Sequence, residues 1–238
     1  MAAPGDTLEV SVWRSDKGAY QTFEVPRQES QTVLDVVSWI QHFADPTLTY
    51  RFACRVGVCG SCAMMVNGEP RWTCRTHVAK VAGSGKVQIG PLRNLPVIKD
   101  LAADLDPFFD KWVAVGGRHE PTSDRYDPLP EIAPDTPERQ TVDAGIECIN
   151  CAVCYAACDT ISGNSDYFGP AALQRAWTLL NDAREGDRDR ILDKVSEGGG
   201  CLNCHSMGSC THYCPNELDP MSAILGLKQT VIRKALGR

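Results

Sequence analysis

Apolar and polar positions alternate from Thr7 to Trp13 (Thr-Leu-Glu-Val-Ser-Val-Trp), the period-two pattern of a half-buried strand. Lys17-Gly18 offers a turn, and Tyr20 to Val25 a hairpin partner. From Thr32, a good N-cap, the period becomes helical, with Val33, Leu34, Val36, Val37, Ile40 and Phe43 on one inner face. Asp45-Pro46 ends that helix. Ala63 to Val66 and Arg71 to Cys74 flank an Asn67-Gly68 turn, which predicts a second hairpin with Met64 and Met65 as packing residues. Val87-Gln88-Ile89 then closes the sheet. Leu92 to Ile98 reads as a connector, and Leu101 to Val115 as a helix despite Pro107.

The pattern changes after Gly116. Pro121, Pro128, Pro130, Pro134 and Pro137 interrupt any regular element, so this stretch is a linker or a strap on a surface. Beyond it the periodicity is helical. Pro170 to Ala183 and Asp189 to Val195 predict helices, a loop holds Gly198-Gly199-Gly200, and Asp219-Pro220 caps a last helix to about Leu236. The fold class is therefore α+β. A β-grasp domain with a closing helix occupies residues 1–115, a proline-rich linker residues 116–138, and an all-α domain residues 139–238.

Length and charge narrow the function. A chain of 238 residues is long enough to bury one or two cores, and a net charge of −6 gives no footprint for nucleic acid. Met1-Ala-Ala-Pro-Gly-Asp6 has neither a secretory nor a transit pattern, and no apolar run approaches the roughly 18–20 residues that span a bilayer. The twelve cysteines are then expected in a reducing compartment, where clustered thiols mean metal more often than disulfide.

The cysteines fall into three runs. Cys54-Arg-Val-Gly57-Val-Cys59-Gly60-Ser-Cys62, with Cys74 after eleven intervening residues, has the C-x4-C-x2-C…C spacing of plant-type 2Fe–2S ferredoxins. It sits where a β-grasp ferredoxin carries its cluster loop. Gly57 and Gly60 permit positive φ and let backbone N–H groups approach the sulfurs. A zinc site with four thiolate ligands is the competing reading, but zinc favours paired C-x2–4-C knuckles. Cys148-Ile-Asn-Cys151-Ala-Val-Cys154-Tyr-Ala-Ala-Cys158 is the C-x2-C-x2-C-x3-C run of bacterial ferredoxins, whose fourth cysteine serves a second cluster. That rule demands a downstream run. Cys204-His-Ser-Met207-Gly-Ser-Cys210-Thr-His-Tyr-Cys214-Pro215 supplies it, with methionine in place of the second cysteine. Crosswise pairing assigns Cys148, Cys151, Cys154 and Cys214 to a 4Fe–4S cluster. It leaves Cys158, Cys204 and Cys210 for a cubane with one corner lacking a thiolate, read as 3Fe–4S. The helical domain is thus a bacterial-ferredoxin-like two-cubane module. Eleven cysteines are placed, yet no glycine-rich nucleotide loop or nucleophile elbow accompanies them, so the chain is read as an electron conduit with no catalytic residue of its own.

Three cluster motifs in this order, with the missing cysteine in the third, resemble the iron–sulfur subunit of succinate dehydrogenase and fumarate reductase, over essentially the whole chain. The resemblance implies a relay between the FAD of a flavoprotein subunit and a quinone, with haem b in some cases, at membrane anchor subunits. It implies a peripheral place on the cytoplasmic face of the bacterial inner membrane. The alternative is the iron–sulfur subunit of a soluble thiol-driven fumarate reductase or of another flavoprotein oxidoreductase. Asp159-Thr-Ile-Ser162-Gly163 lacks the proline and tryptophan pair of ubiquinone-linked members and, with Gly169-Pro170, resembles the fumarate reductase branch. His205 after Cys204 resembles the dehydrogenase branch, where that histidine lies near the 3Fe–4S centre and quinone. Direction and quinone type therefore stay open.

Several residues carry two readings. His205 and Met207 are quinone-proximal candidates; the other reading of His205 is a histidine bonded to backbone, and Met207 is read as apolar filling over the 3Fe face. Cys201 is a buried bystander or a fourth ligand that would make the third centre 4Fe–4S. Arg51, Arg55, Arg71 and Arg75 flank the first cluster loop as steering charges or as ordinary solvated ones. Lys228, Arg233, Lys234 and Arg238 stand among Ile224, Leu225, Val231 and Ile232 on the last helix, where the readings are direct lipid contact and packing on the cluster domain, the second being the one expected.

Overall fold

The computed structural model describes residues 7–128 and 130–237 and divides the chain into two compact units. The first comprises the chain to Leu105 together with Ile149–Ala157, and the second Asp106–Cys148 with Cys158 onward.

In the first unit a five-stranded sheet has the order β2-β1-β5-β3-β4, with β1 Thr7–Arg14, β2 Ala19–Pro26, β3 Ala63–Val66, β4 Glu69–Trp72 and β5 Lys86–Gly90. β1 is antiparallel to β2 and parallel to β5. Alternation decides which face is dry: Leu8, Val10 and Val12 are fully buried, as are Val25 and Ile89. Helix α1 (Val33–Trp39) supplies Val33, Val36 and Val37 to the same core. Thr32 caps it as predicted. Its hydroxyl accepts from the Asp35 N–H at 3.2 Å, while the Asp35 carboxylate accepts from the Thr32 N–H at 3.0 Å.

Phe43 departs from the expected inner face. Residues Ile40–Ala44 form a π-turn closed by a bond from the Asp45 N–H to the Ile40 carbonyl, which changes the rotation per residue. Phe43 therefore points outward, 75% exposed, against Trp39. The Asn67-Gly68 turn has positive φ at both residues (52° and 82°), as a two-residue type I′ hairpin requires. Asn67 also accepts from the Gln88 N–H at 2.7 Å, tying the turn to β5.

After the short helix α2 (Val78–Val81), two small strands, β6 (Val97–Lys99) and β7 (Ala102–Ala103), occupy ground expected to be connector and helix. Pro107 explains the difference. Helix α3 is Asp106–Ala114, so the proline lies in its first turn, where its missing N–H costs nothing. α3 also belongs to the second unit rather than closing the first. Its Trp112 lies under the Arg175 guanidinium, 5.4 Å from the ring centroid, on helix α7 (Pro170–Leu180).

The proline-rich stretch is in part a strap. Glu120 and Thr122 exchange backbone bonds with Gly186 and Arg184, and the buried Glu185 carboxylate accepts from the Glu120 N–H and faces His119. Helix α4 (Pro137–Val142) begins before the expected boundary at residue 139, with Thr136 as its cap. Within the second unit α7 touches α3, α4, α8 (Arg188–Ser196) and α10 (Pro220–Ala235). Gly226 of α10 lies so close to Trp177 that a Cβ would stand 2.5 Å from its ring. The last helix packs as anticipated, with Ile224, Leu227 and Val231 buried. Lys234 pairs with Asp189 and Asp193, whereas Arg238 lies outside the described residues.

Candidate cluster sites

The first run is an irregular loop from Cys54 to Cys62 ahead of β3, with Cys74 just beyond β4. Cys62 and Cys74 are buried, and Cys54 and Cys59 half-buried. Positive φ at Arg55, Gly57 and Gly60 (60°, 80° and 70°) curls the loop so that its N–H groups point inward. Val56 and Val58 donate to the Cys54 sulfur at 3.4 Å, the Cys54 N–H donates to Cys59 at 3.5 Å, and the Cys74 N–H to Cys62 at 3.5 Å. The two bonds from Val56 and Val58 pull the Cys54 thiol down to about 6, while burial pushes Cys74 up to about 11. N–H groups aimed at thiolate sulfur are what an iron–sulfur centre uses to moderate its charge, so the residues fit the group.

Among the described residues no set of three or more His, Cys, Asp or Glu side chains gathers around a single-ion position. Around this loop Phe52, Val56 and Val58 are exposed. Arg55 stacks on Phe52 and pairs with Asp35, and Arg71 pairs with Glu69.

The second run is split. Cys151 and Cys154 lie in the first unit, Cys148 and Cys214 in the second. The segment 149–157 is held to the β-grasp unit by Arg93, which donates to the Ala156 carbonyl, and by Asn94, which donates to the Tyr155 carbonyl at 2.9 Å. Helix α5 (Val153–Ala156) packs on β4. Left-handed φ at Asn150 (53°) and Ala152 (61°) coils the backbone between Cys148, Cys151 and Cys154. Gly60 belongs to this contact, because a Cβ there would stand 2.7 Å from the Cys151 Cα. Spacing alone pointed to Gly60 for its φ and gave no sign of that approach.

The third set lies within the second unit. Cys158 precedes helix α6 (Asp159–Gly163), Cys204 follows a tight turn at Cys201–Asn203, and Cys210 sits on helix α9 (Ser209–His212). All three line one cavity with Tyr167, Met207, Met221 and Ile224. The Ser206 N–H donates to the Cys204 sulfur at 3.3 Å, and the Lys228 ammonium holds the Cys204 carbonyl at 2.5 Å. Burial pushes the Cys210 thiol up to about 11, and raises Cys158 as well. Met207 borders the cavity yet is 70% exposed, and His205 is exposed. Cys201 is fully buried and is not part of the cavity wall. Tyr167 was not legible as a site residue, since nothing in its flanking sequence marks it.

Residues 8–110 match the family described as a 2Fe-2S iron–sulfur cluster binding domain, and residues 147–219 the one described as a 4Fe-4S dicluster domain. A fumarate reductase iron–sulfur subunit of Mycobacterium tuberculosis is 36% identical over 239 residues, covering 96% of this chain and 94% of its own. A succinate dehydrogenase iron–sulfur subunit of Paracoccus denitrificans is 35% identical over 204 residues, covering 84% of this chain and 76% of its own. The fold matches a chain of the Mycobacterium smegmatis Sdh1 complex with a TM-score of 0.85 at 23% identity, covering 96% of each. The cluster-binding domains and the relatives that match along nearly the full chain lead to one conclusion: this chain belongs to the succinate dehydrogenase/fumarate reductase family, as one of its electron-transfer iron–sulfur subunits.

Proposed function

We propose that this chain carries electrons singly between the FAD of a flavoprotein subunit and a quinone held by membrane anchor subunits, through three clusters in sequence. In this reading Cys54, Cys59, Cys62 and Cys74 hold 2Fe–2S, and Cys148, Cys151, Cys154 and Cys214 hold 4Fe–4S. Cys158, Cys204 and Cys210 hold 3Fe–4S. When bound, the clusters supply one-electron carriers that divide the two-electron exchange of a flavin into single steps. The chain itself fixes the thiolates, aims N–H groups at the sulfurs of Cys54, Cys59, Cys62 and Cys204, and excludes water from Cys62, Cys74 and Cys210.

The observation that carries the 3Fe–4S assignment is Met207. It stands where the second cysteine of the run should be, at a cavity lined by three cysteines, while the spare Cys201 is buried outside that cavity. A thioether is a weak ligand for the fourth iron, so three thiolates favour the three-iron form. Exposed Phe52, Val56 and Val58 beside the first loop suit a flavoprotein face, and exposed His205, Met207 and Leu202 suit the anchor and quinone side, where any haem b would sit. Among the described residues no helix is long and apolar enough to cross a membrane. The anchors are what would hold the chain at the cytoplasmic face of the inner membrane.

Electron paramagnetic resonance on the purified complex tests this, first as isolated in air and then reduced with succinate and with dithionite. An oxidised-state 3Fe–4S signal, joined on reduction by a 2Fe–2S signal, is expected. Two reduced cubane signals and no 3Fe signal would instead make Cys201 a ligand.

A further inference from the structure

We infer that the Tyr167 hydroxyl donates a hydrogen bond to sulfur at the third cluster and thereby raises that cluster's reduction potential. The inference rests on the assignment of Cys158, Cys204 and Cys210 to that cluster.

Tyr167 is fully buried, and its ring shares the cavity wall with those three cysteines. Its hydroxyl has no hydrogen-bond partner that meets bonding geometry. A buried polar group in that state calls for an acceptor supplied by something bound. The cavity wall also carries the oxygens of Asp159, Thr160, Ser206 and Ser209, yet none of them meets bonding geometry with the hydroxyl. The sulfur of the three cysteines and of the cluster they hold is the acceptor that remains.

The ring is also fixed. The Tyr167 N–H donates to the Asn164 carbonyl at 3.2 Å, and the Phe168 N–H to the Gly199 carbonyl at 2.8 Å, which holds the loop between α6 and α7 in place. Reduction adds negative charge to a cluster. A donor aimed at its sulfur stabilises the reduced form more than the oxidised form, and weak local screening strengthens the effect. Phenylalanine would fill the same space without the donor.

The test is a potentiometric titration of the third cluster, followed by electron paramagnetic resonance, in the intact complex. Tyr167→Phe should lower the reduced-to-oxidised ratio at a fixed ambient potential about tenfold, equivalent to a downward shift of about 59 mV for one electron. The other two clusters should stay in place. Installing 3-fluorotyrosine at position 167, a more acidic phenol and a stronger donor, should shift the third cluster upward. That variant decides the matter if Tyr167→Phe fails to assemble. An unmoved third potential in these variants, or equal shifts of all three clusters, would overturn the inference and assign the hydroxyl to a trapped water. A wild-type complex without the 3Fe–4S signal would break the three-iron assignment instead. The same variants would then be read on the reduced signal of whatever cluster these cysteines hold.

Discussion

Replacing Gly60 with alanine puts a methyl group where the first cluster loop has no room. A Cβ at this position meets Cys151 at 2.6 Å from its Cβ, 2.7 Å from its Cα and 3.2 Å from its nitrogen. These atoms belong to the backbone or sit directly on it, so no side-chain rotation relieves the clash. Gly60 also has φ +70°, and an alanine there loses about 1–2 kcal/mol from conformation alone. Overpacking adds about 1–3 kcal/mol, which brings the total to roughly 2–5 kcal/mol.

Gly18 separates the two contributions. It has φ +57° with nothing within 4 Å of a built Cβ, so Gly18→Ala carries only the conformational part. For a chain of this size each kcal/mol moves the thermal midpoint by about 2–4 °C, so cluster-loaded Gly60→Ala should melt roughly 2–12 °C below Gly18→Ala. Hydrogen exchange should quicken jointly at residues 59–61 and 150–153 in Gly60→Ala and in neither stretch in Gly18→Ala. Equal midpoints for the two variants would refute the contact between the first loop and Cys151.

Other consequences follow from particular side chains. Arg14, 2% exposed, binds Asp100 at 3.3 Å and also reaches Thr47 and Asp45, so Arg14→Met leaves the buried Asp100 carboxylate without its cation. Denaturant titration should record a loss of about 3–5 kcal/mol, and a loss below about 1 kcal/mol would contradict the reading. Hydrogen bonds from Arg184 hold the Asp182 carboxyl near 2, below its ordinary 3.8. Its contribution is therefore complete above about pH 4 and disappears as pH falls towards 2. The difference in denaturation midpoint between wild type and Asp182→Asn should shrink over that interval; a difference that grows on acidification would count against the pair. Cys201→Ala should leave the intensity of the oxidised 3Fe–4S signal unchanged, and Cys210→Ala should abolish it. Loss of that signal in Cys201→Ala would make the buried thiol a ligand.

What the sequence determined by itself is local. Ligand spacing is a property of a few consecutive residues, because the turns that bring cysteine sulfurs together are short. The three runs, the Thr32 cap, the Asn67-Gly68 hairpin and the Asp219-Pro220 helix start were legible for that reason. The alternation of Leu8, Val10 and Val12 likewise marks one face of a strand before any partner is known. The tertiary structure decided what depends on distant neighbours. Periodicity cannot say that Arg93 and Asn94 reach the carbonyls of Ala156 and Tyr155, about sixty residues away, and draw residues 149–157 into the first unit. It placed Phe43 on the inner face because a π-turn leaves no mark in the hydrophobic pattern. It gave α3 to the first domain, whereas packing on α7 gives it to the second. Nor could it find Tyr167, whose hydroxyl gains meaning only when burial removes water from it and three cysteines from separate segments surround the same cavity.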